Sequence, residues 1–297
     1  MKCAPSKPLR LVIESASVFT IPGFALAVRR YTEHTSSGMH AHKFMELVVI
    51  TGGSGIHCTE GTEHPISRGD VFVIGGNRSH GYRGGVALSL FNIMFDMDQL
   101  GIPARDIETM AGYHALFELE PVLRARHGFK SRLRLSPNNL TEAESFIETM
   151  ERELDKRPPG YQFMTVTLLM RLIIYLARCY TQSRNESCHA FVRLAKAIDC
   201  LESQHDRHIA LSQLAGMVHM SARNFQRTFR KVMGTSPIEH LVRLRIAHAT
   251  ELLQQEKHLN ITEIAYRVGF QDSNYFTRQF HKIIGYSPRK FRLRGAE

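Results

Sequence analysis

The feature that most restricts what this chain can fold into is a segment that occurs twice. LSQLAGMVHMSARNFQRTFRKVMGTSP (211–237) and ITEIAYRVGFQDSNYFTRQFHKIIGYSP (261–288) align with one inserted residue. Leu214/Ile264, Ala215/Ala265 and Val218/Val268 pair before the insertion, and Phe225/Phe276, Arg227/Arg278, Phe229/Phe280, Lys231/Lys282, Gly234/Gly285, Ser236/Ser287 and Pro237/Pro288 after it. A recurrence on this scale means one supersecondary unit used twice. Each copy reads as a short helix, a tight turn and a longer helix, with a small Ala where the helices cross and two Phe four residues apart facing the core. That leaves Arg223, Gln226, Arg227 and Arg230 on the outer face of the first longer helix, and Ser273, Asn274, Thr277 and Arg278 on the second. These residue types read base edges or grip phosphates. One such face is ordinarily just solvated, whereas two at equivalent positions of a repeat point to nucleic acid.

Charge agrees with that reading. The chain carries a formal +10, and residues 190–297 hold 17 Lys/Arg against 9 Asp/Glu, so +8 of it lies in the C-terminal third. A local positive excess is the footprint of a polyanion binder, without separating DNA from RNA or an anionic membrane. The five cysteines (Cys3, Cys58, Cys179, Cys188, Cys200) show neither a CxxC pair nor zinc-finger spacing, and read as reduced thiols. The most apolar stretch, 165–177, is interrupted by Arg171, and the N-terminal residues lack a signal-type apolar run. The expectation is a cytoplasmic protein without a membrane partner.

Ahead of the repeat the pattern is different. Runs such as LVVI (47–50), VFVI (71–74) and LSLFNIMF (88–95) alternate with TGGSG, SRGD, GGNRSHG and RGG, which read as turns between short strands of a barrel or sandwich. From about residue 137 the period becomes helical, with one helix to Asp155, a stop at Arg157-Pro158-Pro159-Gly160, and a second helix from Tyr161 to Thr181. Val166, Leu169, Ile173, Leu176 and Tyr180 form a seam on the second helix that suits either a dimer interface or packing on its own domain. Gln182 to Ser187 reads as a linker. The fold class is α+β: a sheet domain over 1–136, a helical linker or dimerisation segment over 137–182, and an all-α domain with two helix-turn-helix units over 190–297.

A second constellation precedes the LVVI strand. In an extended segment His40, His42 and Glu46 differ by even numbers and share one face. Arg78 and His80 follow in the loop after GDVFVI. Three histidines and a carboxylate form a recognised divalent-metal set, His40, His42, Glu46 and His80. The same residues suit a metal-free polar ligand pocket (His40, His42, Glu46, Arg78, His80) or a purely structural polar core.

Two resemblances follow from these residues. GFQDSNYFTRQF (269–280) with GYSPRKFR (285–292), preceded by the linking segment RLRIAHATELL (243–253), resembles the AraC/XylS family of bacterial transcription regulators. The resemblance implies that each longer helix enters a major groove of promoter DNA, with Arg223, Gln226, Arg227, Asn274, Thr277 and Arg278 facing the bases. The histidine motifs resemble cupins, with departures at His34, Gly75, Asn77 and Gly84, and HAHKFMELVVITGGSG (40–55) is similar to the rhamnose-responsive branch of the regulators. Implied with them are a small-molecule, sugar-like effector, activation through RNA polymerase, a homodimer, and no required cofactor beyond a possible divalent metal. Two other functions compete: a metal-dependent cupin enzyme, which leaves the duplicated basic unit unexplained, and a DNA-binding dimer that needs no ligand.

Overall fold

The computed structural model describes residues 11–294 except 60, 76, 103–106, 108, 109 and 128; Cys3 lies outside them. Contacts divide the chain into two compact units, Met1–Val192 and Arg193–Glu297.

The first unit is built on one eight-stranded sheet: β1 (Leu11–Val12), β2 (Leu26–Tyr31), β3 (Ser37–Ala41), β4 (Met45–Thr59), β5 (Thr62–Ser67), β6 (Asp70–Ile74), β7 (His80–Phe95) and β8 (Leu133–Arg134), with a short helix α1 (Ser15–Val18) between β1 and β2. Long antiparallel strands β4 and β7 pair from Met45↔Phe95 to Thr59↔His80 and form its spine. Along the spine β2 and β3 flank β7, while β6 and β5 flank β4. Residues 47–50 and 71–74 are buried on both faces, which explains their unbroken apolar runs. Val48, Ile50, Ile66, Phe72, Tyr82, Leu88 and Leu90 close on one another inside the curled sheet.

Two glycine clusters expected to be turns lie inside strands instead. TGGSG and RGG face one another across the spine, where the β4/β7 register shifts repeatedly between Ile50 and Ile56. Gly53 (φ +62°) has no room for a Cβ against Ala87, nor Gly85 against the His34 carbonyl. Glycine therefore bends the ribbon by bulging it rather than ending it.

Between β7 and β8 runs helical structure that the sequence reading left unassigned: α2 (Ala111–Tyr113), a π-helical turn (His114–Leu119) and α3 (Glu120–His127). Helix α4 (Pro137–Lys156) starts at Ser136, whose side chain accepts from the Asn139 N–H, and stops at Arg157 in the left-handed conformation. Helix α5 (Tyr161–Gln182) is long and apolar enough to cross a membrane by length and composition. Its Leu169, Leu172, Ile173, Leu176, Ala177 and Tyr180 are fully buried within this unit. Helix α6 (Glu186–Ser203) begins earlier than expected, because the polar residues taken for a linker cap it: Asn185 accepts from the Ser187 N–H at 2.9 Å.

The second unit comprises the rest of α6, then α7 (Leu211–Met217), α8 (Ala222–Met233), α9 (Pro237–Gln255), α10 (Ile261–Arg267), α11 (Ser273–Ile284) and α12 (Pro288–Arg294). Each repeat supplies a two-helix unit, α7/α8 and α10/α11. Gly234 and Gly285 end the longer helices with positive φ, and capping boxes open α9 (Ser236/Glu239) and α10 (Asn260/Glu263). Val242, Ile246, Ala249 and Leu253 of α9 pack with Ile264, Ala265, Val268, Phe270, Phe276 and Phe280 into one core.

Candidate functional site

On α8, Phe225 and Phe229 are completely buried and meet edge to face at 5.6 Å. Fixing that side inward exposes Arg223, Gln226, Arg227 and Arg230 on the opposite one. Asn224 accepts from Arg227 Nη2 at 3.0 Å and so steers that guanidinium. On α11 the equivalent pair, Phe276 and Phe280, is likewise buried, leaving Asn274 and Arg278 exposed. Ser273 and Thr277 are only half-exposed, and Thr277 Oγ1 donates to the Ser273 carbonyl at 2.9 Å, tying it to its own helix. Sequence reasoning passed over exposed Tyr275 and the basic α12, where Arg294 and Lys290 lie over the Tyr286 ring at 4.2 and 5.2 Å. The positional signal for Tyr275 was available, since it immediately precedes the buried Phe276.

In the first unit, β3 and the start of β4 bring the histidines to Glu46. His42 Nε2 donates to Glu46 Oε2 at 2.7 Å and Nδ1 donates to the Phe44 carbonyl at 2.9 Å. Both ring nitrogens of His42 are thus engaged within the cluster. Burial alone would push the Glu46 carboxyl up, but the imidazoles of His42 and His80 outweigh it and hold it at about 2. His80 Nδ1 donates to the Arg78 carbonyl at 3.1 Å, and its Nε2 lies 3.4 Å from Glu46 Oε2 without a hydrogen-bond partner. The His40 ring packs against His80 at an interplanar angle of 59°, with ring centroids 4.3 Å apart.

Donor atoms of His40, Glu46 and His80 lie within 4.8 Å of one another. His42 falls outside this group because both its nitrogens are committed. The three remaining donors fit a divalent ion in kind, though they stand wider apart than ligands closed on a metal at about 2 Å.

The cavity beside this cluster has a different lining from the one expected. It encloses about 280 Å³, and Arg78 and His80 line it, while His40, His42 and Glu46 do not. Its other polar walls are His57, Thr59, Ser79 and Arg124, with Val73 and Ile74 below and Pro121 and Val122 from α3 above. His57 and Arg124 had no sequence signal: each is a lone polar residue, in a strand and in a helix that the periodicity did not show. Arg124 is buried, with Nε donating to Glu120 Oε1 at 3.1 Å, Nη2 to Glu120 Oε2 and to the Val73 carbonyl, and its guanidinium over Phe129 at 4.6 Å. Its Nη1 lies 3.4 Å from His57 Nε2, leaving His57 Nδ1 to carry the ring proton. Burial first, and then the Arg124 guanidinium, hold His57 well below the usual imidazole range, so the ring is neutral.

A β-domain with a half-open cavity of mixed polar and apolar lining, joined in one chain to two helix-turn-helix units with arginine faces, has the architecture of a ligand-responsive DNA-binding regulator of transcription rather than an enzyme. An AraC-like ligand binding domain matches residues 21–154 and a helix-turn-helix domain matches residues 214–294, so the chain carries both domains of an AraC-type regulator. It is similar to the HTH-type transcriptional activator RhaR of Enterobacter sp. (strain 638), 29% identical over 286 residues that cover 96% of this chain and 97% of that protein. The activator of the same name from Mannheimia succiniciproducens is 25% identical over 256 residues, 86% of this chain and 87% of that one. Among solved structures, the DNA-binding domain of AdpA in complex with a target DNA is 28% identical and covers 34% of this chain and 90% of its own, with a TM-score of 0.33.

Proposed function

We propose that the chain is a cytoplasmic transcription activator that holds a hydroxylated, sugar-sized effector in the cavity between the sheet and α3, and engages promoter DNA through α8 and α11. The observation that carries this is the cavity itself, a half-open space of about 280 Å³ where hydrogen-bonding side chains meet an apolar floor, on the same chain as the duplicated unit. Arg223, Gln226, Arg227 and Arg230, with Asn274 and Arg278, make the DNA contacts; Ser273 and Thr277 contribute through their helix backbone and methyl surface. Arg78, His80, His57 and Arg124 hold the effector, and the His40–His42–Glu46 cluster buttresses His80 from behind. No cofactor is required; were a divalent ion bound, His40, Glu46 and His80 would hold it.

Phe163, at 81% exposure, and Met164 on α5 offer an apolar surface for a homodimer, which would present four helix-turn-helix units to DNA and recruit RNA polymerase. Effector binding must then favour one arrangement of the dimer over another to alter transcription. The test is transcription from a two-site promoter, with and without neutral sugars and their acidic derivatives, in wild type and in Thr59→Trp, whose indole fills the cavity. The expected result is loss of the effector response with DNA binding retained. A filled-cavity variant that responds as the wild type does would remove the cavity from sensing.

A further inference from the structure

The charges around the cavity do not balance. Two guanidiniums line it and no carboxylate does among the described residues. Arg124 is neutralised by Glu120, which engages it through both oxygens. Arg78 has no such partner: its one hydrogen bond among the described residues is a donation to the Pro121 carbonyl. It is half-buried, and burial first and then the nearby Arg124 charge pull its pKa below the usual guanidinium range, while Glu120, already paired with Arg124, opposes them only in part. A cation in that position costs stability unless something neutralises it. The neighbouring polar groups are donors too: His57 Nδ1 carries a proton, is buried and has no hydrogen-bond partner. Thr59 and Ser79 add hydroxyls to the same walls.

We infer that the effector is not a neutral sugar but one bearing an oxyanion, a carboxylate or a phosphate, which Arg78 grips while His57 Nδ1–H donates to the same group or to an adjacent hydroxyl. The inference rests on the cavity being the effector site. A planar guanidinium suits either oxyanion, because its N–H fork matches two oxygens at once. The apolar floor of Val73 and Ile74 takes the carbon face of the ring.

The experiment compares one ring with three substituents at C6, using the full-length protein: galactose, galacturonate and galactose 6-phosphate, with the glucose series in parallel. Thermal stabilisation is read in wild type, Arg78→Gln, Arg78→Lys and Thr59→Trp. At least one acid of a series should raise the melting temperature in a concentration-dependent way while its neutral parent does not, and the acid that works identifies the oxyanion. Arg78→Gln should weaken that binding by about tenfold or more, the loss of one charge-assisted hydrogen bond, with Arg78→Lys between the two. Unliganded Arg78→Gln should melt at or above the wild-type temperature, since it removes an uncompensated charge; a marked fall would mean that Arg78 is structural and would overturn the inference. Stabilisation by the neutral sugars that survives Arg78→Gln but not Thr59→Trp would overturn the anion and keep the cavity. Stabilisation by an acid that survives Thr59→Trp would sink the cavity reading itself. No response to any acid would overturn the oxyanion assignment.

Discussion

The turn between α10 and α11 gives the sharpest test of how the recognition helices are set. Gly269 sits there at φ +93°, and a Cβ on it would lie 2.7 Å from the backbone oxygens of both His205 and Asp206. The segment that carries them is pinned on either side of Asp206, because Arg245 donates to His205 O at 2.6 Å and to Arg207 O at 2.8 Å. Gly269→Ala should therefore cost about 1–2 kcal/mol for a left-handed L-residue and about 1–3 kcal/mol for the overlap. The sum, roughly 2–5 kcal/mol, corresponds to about 10 °C or more in a unit of this size. The equivalent position of the first repeat is His219, which adopts φ +52° without the excuse of being glycine. His219→Gly should relieve about 1–2 kcal/mol of backbone strain and return about 0.4–1 kcal/mol through the freer unfolded chain, a net gain of up to about 1 kcal/mol. Urea unfolding of the full-length protein by circular dichroism, beside gel shifts on promoter DNA, measures both. Gly269→Ala should lose DNA binding as well as stability, and His219→Gly should keep both. If the two substitutions moved stability in the same direction, or Gly269→Ala were silent, the assignment of strain in these turns would be wrong.

Arg227→Ala and Arg278→Ala should each reduce discrimination between operator and unrelated DNA by about 1–3 kcal/mol in titrations, with unchanged melting. Phe229→Ala or Phe280→Ala should instead cost about 3–5 kcal/mol of folding stability, and equal thermal damage from all four would contradict the face assignment. Glu239 is held at about 2, first by the Ser236 N–H and then by the Ser236 and Thr235 hydroxyls. Its folded value lies below its unfolded one, so its contribution to stability is present above about pH 4.5 and disappears as pH falls through 2. Glu239→Gln should therefore be less stable than wild type at neutral pH, and the gap should close in acid; a gap independent of pH would refute the capping role.

The repeat was legible because its helices carry strong periodic signals: buried Phe pairs, Gly caps and Ser-Pro starts all recur in register. Helices α4 and α5 were legible for the same reason, with Ser136 and Arg157-Pro158 marking the ends of α4. Strand lengths were not, because a glycine that bulges a strand and a glycine that ends one look alike in sequence; only the opposing Ala87 and His34 backbones distinguish Gly53 and Gly85 from turn residues. The histidine motif led to a cluster that adjoins the cavity and shares only Arg78 and His80 with its lining. His42 and Glu46 satisfy each other, and the cavity lies beyond His80, against His57 and Arg124. Arg124 escaped notice because its value comes from what surrounds it, Glu120, Val73 O and Phe129, and not from any spacing in its own segment.

Gly112 in α2 has a bearing on how occupancy of the cavity is felt elsewhere. A Cβ there would run into the carbonyl oxygen of Ala177 and the hydroxyl of Thr181, so α2 and α5 touch backbone to backbone. From Gly112 the chain runs helically through the π turn to Pro121 and Val122, which close the cavity from above. At Gly112 there is thus no side chain of its own to absorb a displacement between this helical stretch and α5. On the proposed reading, an occupant that lifted Pro121 and Val122 would strain that contact, and after three intervening residues beyond Gln182 begins the helix that enters the second unit.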